Sequence, residues 1–242
     1  MVLKTQGQSQ VPQSNYDEIA DEYYDARHIT SRNFDNATKA ALNDGRANLP
    51  SGLVLELGAG KGRSIEFLGI APERIIHLDS SEIMLNLKER ENCLLKIHAD
   101  ACSIPLSGSQ FGIVVGFLID PFFGLDCLAE AHRMLTRDGS MILTVPTIAW
   151  GKPLRQRIGI DVMTTRFRII DRGMTVQVPS NLHAPEKIIE MLEVCGFREV
   201  SLSNICLPQS VLDVSPDISS VCKEKGVSNY ELPIVHVIRA VK

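Results

Sequence analysis

From residue 53 onward, short apolar runs alternate with segments in which apolar side chains recur every three or four positions. An uninterrupted apolar run predicts a buried strand, whereas the three-to-four spacing predicts a helix with one apolar face. The predicted strands are residues 53–57, 74–78, 93–97, 113–118, 141–145, 200–205 and 234–241. The predicted helices are residues 61–68, 82–91, 125–135 and 185–194. Strands that alternate with helices in this way predict an α/β fold built on a parallel sheet.

Other segments extend this alternation at its start and interrupt it twice. Residues 1–14 are polar and rich in Gln and Ser, which predicts a flexible tail. Residues 15–49 carry apolar and aromatic positions that predict a cap of two helices. The segments 147–183 and 207–232 do not fit the alternation, and we interpret them as insertions in a single domain that spans residues 15–242.

The turn after the first predicted strand contains three glycines, Gly58, Gly60 and Gly62. Glycine adopts positive φ at little cost and lets the backbone approach a flat ligand, and the helix that follows offers free N–H groups. The dinucleotide fingerprint requires glycine where this chain has Arg63, and a phosphate loop requires lysine directly before Ser64. The spacing therefore indicates a nucleoside site that is neither a typical NAD site nor an ATP site.

Two carboxylates follow the next two predicted strands. Asp79 lies 19 positions after Gly60, where a carboxylate accepts hydrogen bonds from ribose hydroxyls. Asp100, followed by Ala101, suits the edge of an adenine. Glu56 either orders the glycine turn or holds the charged tail of the ligand. Because ligands of such sheets bind beyond the carboxyl ends of the strands, we expect these residues around one crevice.

The joint spacing of several motifs resembles a known family. The motifs are Glu56-Leu57-Gly58-Ala59-Gly60-Lys61-Gly62, Leu78-Asp79-Ser80-Ser81, Asp100-Ala101-Cys102-Ser103-Ile104-Pro105 and, in the cap, Tyr16-Asp17-Glu18-Ile19-Ala20. They resemble the class I S-adenosylmethionine-dependent methyltransferases, in particular the branch that acts on small molecules. The resemblance implies a three-layer Rossmann-like fold whose seven-stranded, mostly parallel sheet has the order 3-2-1-4-5-7-6, with the last strand antiparallel and an inserted lid. One departure is Gly112, where the family usually has Asp.

The resemblance also implies S-adenosylmethionine as the cofactor. The residues expected to contact it are Glu56, Gly58, Ala59, Gly60, Gly62, Asp79, Ser80, Asp100, Ala101 and Phe117.

Charge, cysteine content and apolar runs indicate which partners and which location to expect for this protein. The formal net charge of −4 argues against broad binding to nucleic acid. Six scattered cysteines without a C-x-x-C pair are typical of reduced thiols in a cytoplasmic protein. The longest apolar run, residues 113–119, is far shorter than the roughly 20 residues that span a bilayer. We therefore expect a cytoplasmic protein that does not cross a membrane.

Methyl transfer is a displacement at a carbon that the sulfonium charge already activates, so the protein mainly holds the nucleophile and the methyl group in line. A general base is needed only for a nucleophile that is protonated at the working pH. The catalytic residues stay unknown, with Asp120, just after the fourth strand, and His28 in the cap as weak candidates. Asp120 is interpreted equally well as a turn residue before Pro121. No pair of histidines has the spacing of metal ligands, so no metal is predicted.

The insertion 147–183 carries six basic residues against two aspartates. Its alternating positions predict a β-hairpin with strands over 165–170 and 174–178. Arg166 and Arg168 then share one face of the hairpin, because successive strand residues point to opposite faces.

We hypothesise that this hairpin is the lid over the crevice and that Arg166 and Arg168 contact an anionic group of the substrate. Replacing both by alanine would then raise the KM without changing cofactor affinity. A solvated hairpin or a dimer contact explains the same pattern equally well. Tyr24 in the cap is a further candidate substrate contact. Phe122, Phe123 and Trp150 are candidates for an apolar wall, although each is also interpreted as a core residue.

The predicted function is transfer of a methyl group from S-adenosylmethionine to an O, N, C or S nucleophile of a small molecule. A methyltransferase acting on RNA or protein is one alternative, favoured by the basic insertion and opposed by the net acidity. A non-catalytic protein that binds S-adenosylmethionine is another. We expect a monomer or a homodimer.

Overall fold

The computed structural model describes residues 2–3, 14–43, 49–87 and 91–242. The strands of this part are β1 (Val2–Leu3), β2 (Val54–Leu57), β3 (Ile75–Asp79), β4 (Leu95–His98), β5 (Phe111–Gly116), β6 (Leu135–Pro146), β7 (Thr164–Ile169), β8 (Met174–Pro179), β9 (Arg198–Ile205) and β10 (Val235–Val241). The α-helices are α1 (Ile29–Asn43), α2 (Ser64–Leu68), α3 (Glu82–Leu85), α4 (Leu125–Met134), α5 (Ile148–Arg157), α6 (Pro185–Val194) and α7 (Pro216–Lys225).

Eight of these strands form the central sheet, in the order β1-β4-β3-β2-β5-β6-β10-β9. Without β1, this is the order 3-2-1-4-5-7-6 that the resemblance implied. Strand β10 runs antiparallel to both β6 and β9, whereas β2 to β6 pair in parallel. The predicted Rossmann-like fold is therefore confirmed, with β1 as an additional short edge strand.

The edge strand β1 lies inside the segment that was predicted to be a flexible tail. Val2 pairs with Lys96 of β4 in parallel register. Residues 1 and 4–13 of that segment lie outside the described residues, so the prediction of a tail stays a prediction there.

Helices cover both faces of the sheet, which gives the expected three layers. Side chains alternate between the two faces along a strand. Leu55 of β2 packs in one apolar core with Leu128 of α4 and Ile188 of α6. Its neighbour Val54 packs in another core with Leu42 of α1 and Phe67 of α2. None of the helices in the described part of the chain is long and apolar enough to cross a membrane.

The cap differs from its prediction, because its described residues contain one α-helix rather than two. Residues 15–24 form consecutive turns, and α1 begins only at Ile29. Several hydrogen bonds in these turns span three residues, as between the Asp17 N–H and the Ser14 carbonyl. Such bonds form tight turns and do not propagate an α-helix. The turns place three tyrosines near the glycine turn, as described below.

Three further elements have different lengths from those predicted. Helix α2 starts at Ser64 rather than at residue 61, because the backbone at Gly62 has a φ of +88°. Helix α3 is short, and Glu91, predicted to lie at its end, accepts hydrogen bonds from the N–H groups of Ile65 and Glu66 instead. Strand β6 starts six residues before the predicted position, because residues 136–139 form a bulge in its pairing with β5.

The two insertions pack against the core domain and against each other. Strands β7 and β8 form the predicted hairpin, with Ile169 paired to Met174. Trp150 of α5 shares an apolar cluster with Ile218 and Val221 of α7 and with Phe34 of α1. Trp150 is therefore a core residue and not part of a substrate wall.

Candidate functional site

The glycine turn connects β2 to α2 and has the positive φ angles that its sequence predicts. The φ angles of Gly58 and Gly60 are +58° and +52°. A Cβ atom at Gly58 would lie 2.7 Å from the Phe122 ring, and one at Gly60 would lie 2.0 Å from the Tyr24 hydroxyl. Both positions thus combine strained φ angles with close neighbours, so a larger side chain at either would displace the residues above the turn.

Glu56 fixes the turn from below. Its carboxylate is almost fully buried and accepts hydrogen bonds from the N–H groups of Arg63 and Ser64, at 2.9 and 3.2 Å. It also accepts one from the Ser64 hydroxyl at 2.5 Å. Free N–H groups at the start of a helix favour a carboxylate. Of the two expected roles for Glu56, these contacts support ordering of the turn.

Asp79 links the glycine turn to the start of α3. One of its carboxylate oxygens accepts a hydrogen bond from the N–H of Gly60 and the other from the N–H of Ser81, each at 2.8 Å. Burial raises the pKa of Asp79 to about 6, although the two N–H donors act in the opposite direction. Asp100 follows β4 and accepts a hydrogen bond from the N–H of Cys102 at 2.8 Å. The carboxylates predicted for ribose and adenine therefore both lie at strand ends on one edge of the sheet.

A cavity of about 280 Å³ opens above these strand ends. All but one of the residues expected to contact the cofactor line it: Glu56, Gly58, Ala59, Gly60, Asp79, Ser80, Asp100, Ala101 and Phe117. The exception is Gly62, where a Cβ atom would meet the buried His77 ring at 2.6 Å instead. The cavity thus gathers residues from the ends of four different strands.

The cap closes the cavity with aromatic side chains. Tyr24, predicted as a substrate contact, lines it together with Tyr16 and Tyr23. The Tyr24 hydroxyl accepts a hydrogen bond from the N–H of Lys61 at 3.3 Å, so the cap rests directly on the glycine turn. Sequence reasoning did not assign Tyr16 and Tyr23 to the site, although Tyr16 stood in one of the motifs.

Two charged residues of the lining form a pair that the sequence did not reveal. Arg63 donates a hydrogen bond to Asp35 of α1, and both line the cavity. Burial raises the pKa of Asp35, whereas the Arg63 guanidinium lowers it. The cation nearest to the glycine turn in the cavity lining is therefore already compensated by a carboxylate.

Neither candidate for a catalytic base lines the cavity. Asp120 accepts a hydrogen bond from the Ser180 hydroxyl, which in turn accepts one from the Arg155 guanidinium at 2.5 Å. All three side chains are buried, so Asp120 joins the loop after β5 to the first insertion. His28 packs on the Phe167 ring, with 4.4 Å between ring centres, and its Nε2 lies 3.7 Å from the Glu22 carboxylate.

The hairpin contacts the cap through its apolar face. Arg166 and Arg168 are exposed and do not line the cavity, whereas Phe167 between them stacks on Tyr23 with 5.8 Å between ring centres. The Glu22 carboxylate accepts hydrogen bonds from the N–H groups of Ile170 and Asp171 in the hairpin turn. The predicted division of faces is thus present, but the arginine face points to solvent.

Three residues beneath the glycine turn have the donor types of a metal site. The ligand atoms of Glu56, His77 and Glu91 lie within 4.8 Å of one another. Both carboxylates, however, already accept hydrogen bonds from N–H groups in the first turn of α2. The cluster therefore serves to start that helix, and the expectation of no metal stays a prediction.

Comparisons with known proteins agree with this geometry. Residues 55–143 match a family model described as a methyltransferase domain. No curated protein sequence matches the chain.

Three solved structures are similar to the chain over most of its length. A methyltransferase from Thermotoga maritima, described as a possible histamine N-methyltransferase, is 18% identical, with 94% of this chain and 98% of that one covered and a TM-score of 0.64. A putative S-adenosylmethionine-dependent methyltransferase from Listeria monocytogenes is 17% identical, with coverages of 85% and 96% and a TM-score of 0.63. Phosphoethanolamine N-methyltransferase 2 of Haemonchus contortus, in complex with S-adenosylmethionine, is 14% identical, with coverages of 94% and 60% and a TM-score of 0.59. These findings confirm the resemblance to class I S-adenosylmethionine-dependent methyltransferases, through the family model over residues 55–143 and through the shared fold over most of the chain.

Proposed function

We propose that this methyltransferase acts on a small molecule that binds under the cap. The observation that carries the proposal is the closure of the cavity by Tyr16, Tyr23 and Tyr24. The cap is also tied to the hairpin through Glu22, which leaves little room for a folded protein or an RNA helix to reach the glycine turn.

Each group of the site has a role in this proposal. S-adenosylmethionine supplies a methyl group that its own sulfonium charge activates. The Asp79 carboxylate holds the ribose hydroxyls, and Asp100 and Ala101 hold the adenine. The cap excludes water and orients the acceptor, which is the contribution that such a displacement requires most.

The similar structures and the charged residues near the cavity indicate the size and the charge of the acceptor. The names of two similar structures, a possible histamine N-methyltransferase and a phosphoethanolamine N-methyltransferase, refer to small-molecule acceptors. An anionic acceptor group is not favoured, because Arg166 and Arg168 lie outside the cavity and Arg63 is paired with Asp35. A metabolite-sized acceptor is thus favoured over a macromolecule.

Two measurements test the proposal in sequence. Calorimetry with S-adenosylmethionine, S-adenosylhomocysteine and NAD should show binding of the first two and none of NAD. Transfer of a labelled methyl group is then compared between a metabolite extract, total RNA and total protein, with Gly60→Val as the variant expected to lose cofactor binding. If the labelled methyl group appears only in RNA or only in protein, the small-molecule acceptor is refuted. If the cofactor binds but no fraction becomes labelled, a non-catalytic role is favoured.

A further inference from the structure

Three tyrosines of the cap form an aromatic corner in the cavity wall. The rings of Tyr16 and Tyr23 meet edge to face, with 5.5 Å between ring centres and an angle of 70°. Tyr23 and Tyr24 meet in the same way, at 4.9 Å and 85°. All three line the cavity, as does Phe122. We call Tyr16, Tyr23 and Tyr24 the tyrosine corner.

The tyrosine corner is held in place before any ligand binds. Phe167 of the hairpin stacks on Tyr23 at an angle of 19°. Tyr16 and Tyr23 also pack against the apolar cluster of Ile19, Ile169 and Val178. Rings that are already fixed lose little conformational entropy when a ligand binds.

The electrostatic environment of the corner favours positive charge. The face of an aromatic ring carries negative charge density. The Asp79 carboxylate lines the same cavity, and Asp35, which also lines it, is paired with Arg63. Burial, followed by the neighbouring tyrosine and by nearby carboxylates, raises the pKa of both Tyr16 and Tyr23 well above the usual value, although Arg63 acts in the opposite direction on Tyr23.

The protein already uses one ring of the corner to hold cations. The Lys61 ammonium lies 4.6 Å from the centre of the Tyr24 ring, and the Arg63 guanidinium lies 5.0 Å from it. Both distances are within the range of cation–π interactions. Among the described residues, no such cation lies over Tyr16 or Tyr23, and both rings line the cavity.

We propose that the tyrosine corner recognises a positively charged nitrogen and that the acceptor is therefore an amine. This inference rests on the proposed small-molecule function and names its substrate class. The residues expected to hold the cofactor lie at the strand ends, and Tyr24 rests on the glycine turn, so Tyr16 and Tyr23 are the rings that we assign to the acceptor. The proposal replaces the anionic acceptor that the arginines of the hairpin suggested.

The reaction balances without a general base in contact with the acceptor. The amine releases a proton to water and becomes neutral, which an amine does more readily than an alcohol. Its lone pair forms the N–C bond to the methyl group as the C–S bond breaks, with the electron pair of that bond left on sulfur. The methylated product is again a cation after it takes up a proton, or at once if it is quaternary, and the corner accommodates it.

Three probes of nearly the same shape test the charge preference. Choline carries a quaternary ammonium, 3,3-dimethylbutan-1-ol is its neutral isostere, and 3,3-dimethylbutanoate is an anion of similar size. Each is titrated by calorimetry into the protein saturated with S-adenosylhomocysteine. We expect choline to bind at least about tenfold more tightly than either of the others, as a desolvated cation–π site requires. Equal or tighter binding of the neutral or anionic probe, or no binding of choline, would overturn the inference.

Variants identify the corner as the source of this preference. Tyr23→Leu and Tyr16→Leu should abolish the advantage of choline over the neutral probe. Tyr23→Phe should keep the advantage, because it retains the ring and removes only the hydroxyl. Arg166→Ala, on the exposed face of the hairpin, should also keep it. The affinity for S-adenosylhomocysteine is measured for each variant, so that loss of fold is recognised separately.

The two proposals fail in different ways. Transfer of label only to RNA or protein would refute the small-molecule function, whatever the probes do. A protein that methylates small molecules but binds the three probes equally would refute the amine inference alone.

Discussion

The sharpest test of the cofactor site is the replacement of Asp79 by asparagine. The carboxylate of Asp79 accepts hydrogen bonds from the N–H groups of Gly60 and Ser81, one on each oxygen. An asparagine side chain has a single acceptor oxygen, and its NH₂ group would face the second N–H donor. The variant therefore loses one of the two bonds that hold the turn, in addition to the negative charge offered to the ribose.

The size of the effect follows from these contacts. A hydrogen bond to a charged group contributes about 1.5–3 kcal/mol. If the hydrogen bond between the ribose hydroxyls and the Asp79 carboxylate is lost, the dissociation constant of the cofactor rises roughly tenfold to a hundredfold, since about 1.4 kcal/mol corresponds to a factor of ten. We expect Asp79→Asn to weaken the binding of S-adenosylhomocysteine within this range.

The pKa of Asp79 adds a pH dependence with a definite sign. Burial raises that pKa to about 6, and ribose hydroxyls donate to the ionised carboxylate. Cofactor affinity should therefore be constant above pH 7 and fall as the pH drops through 6, by about tenfold at pH 5, because about nine in ten of the carboxyl groups are then protonated. Asp79→Asn should remove this dependence.

The stability of the ligand-free protein should change in the opposite direction. The pKa of Asp79 in the folded state lies above its unfolded value, so the folded state binds the proton more tightly. Its contribution to stability is complete below about pH 4 and is lost as the pH rises through 6. Burial also raises the pKa of Asp120 to about 6, so this residue contributes to the same stability profile.

Asp120 provides the control, because it lies outside the cavity lining. Calorimetric titrations of S-adenosylhomocysteine between pH 5 and 8 are compared for the wild type, Asp79→Asn and Asp120→Asn. We expect Asp120→Asn to keep the pH dependence of cofactor affinity. An affinity of the wild type that does not change with pH, or an unchanged slope in Asp79→Asn, would refute the assignment of Asp79 to the ribose.

Two further predictions concern the first insertion. Arg155→Met removes the donors to two buried acceptors of Ser180 and should lower the free energy of unfolding by at least about 2 kcal/mol in urea titrations. Arg157→Met removes only exposed contacts and should cost less than about 1 kcal/mol, so equal losses would contradict a buried role for Arg155. Phe167→Ala removes the stacking on Tyr23, worth about 0.5–1.5 kcal/mol, and should weaken the binding of choline to the protein saturated with S-adenosylhomocysteine severalfold. Arg168→Ala, next to it on the exposed face, should leave that affinity unchanged, and a larger effect of Arg168→Ala would show that the arginine face reaches the site.

The framework of the fold was predictable because it depends on local patterns that agree with one another. The continuous apolar run at 113–118 marks a strand that is covered on both faces, and β5 occupies the centre of the sheet. The cofactor residues Gly60 and Asp79 follow from strand ends, and a parallel sheet brings such ends to one edge. Neither inference required knowledge of how distant segments pack.

The parts that could not be predicted depend on contacts between distant segments. Asp120 and Ser180 are 60 positions apart, and nothing near Asp120 in the sequence shows that its carboxylate has a buried partner. The turns at 15–24 contain apolar positions at helical spacing, yet their side chains pack across to the hairpin and the backbone forms tight turns instead. Tyr23 enters the site only through this packing.

The arginines of the hairpin show why a count of charges misleads about a substrate. The six basic residues of segment 147–183 suggested an anionic ligand, but Arg155 is buried in internal hydrogen bonds and Arg157 pairs with Glu224 of α7. The net charge of a segment does not show which basic side chains form ion pairs or hydrogen bonds, nor which way they point. Only the structure shows which of these basic side chains already have a partner. The hairpin contributes the neutral Pro179 to the cavity lining, and its Phe167 holds a tyrosine of the cap in place. The chemistry of the acceptor is therefore to be sought in the cap, where aromatic rings and carboxylates favour a cation over an anion.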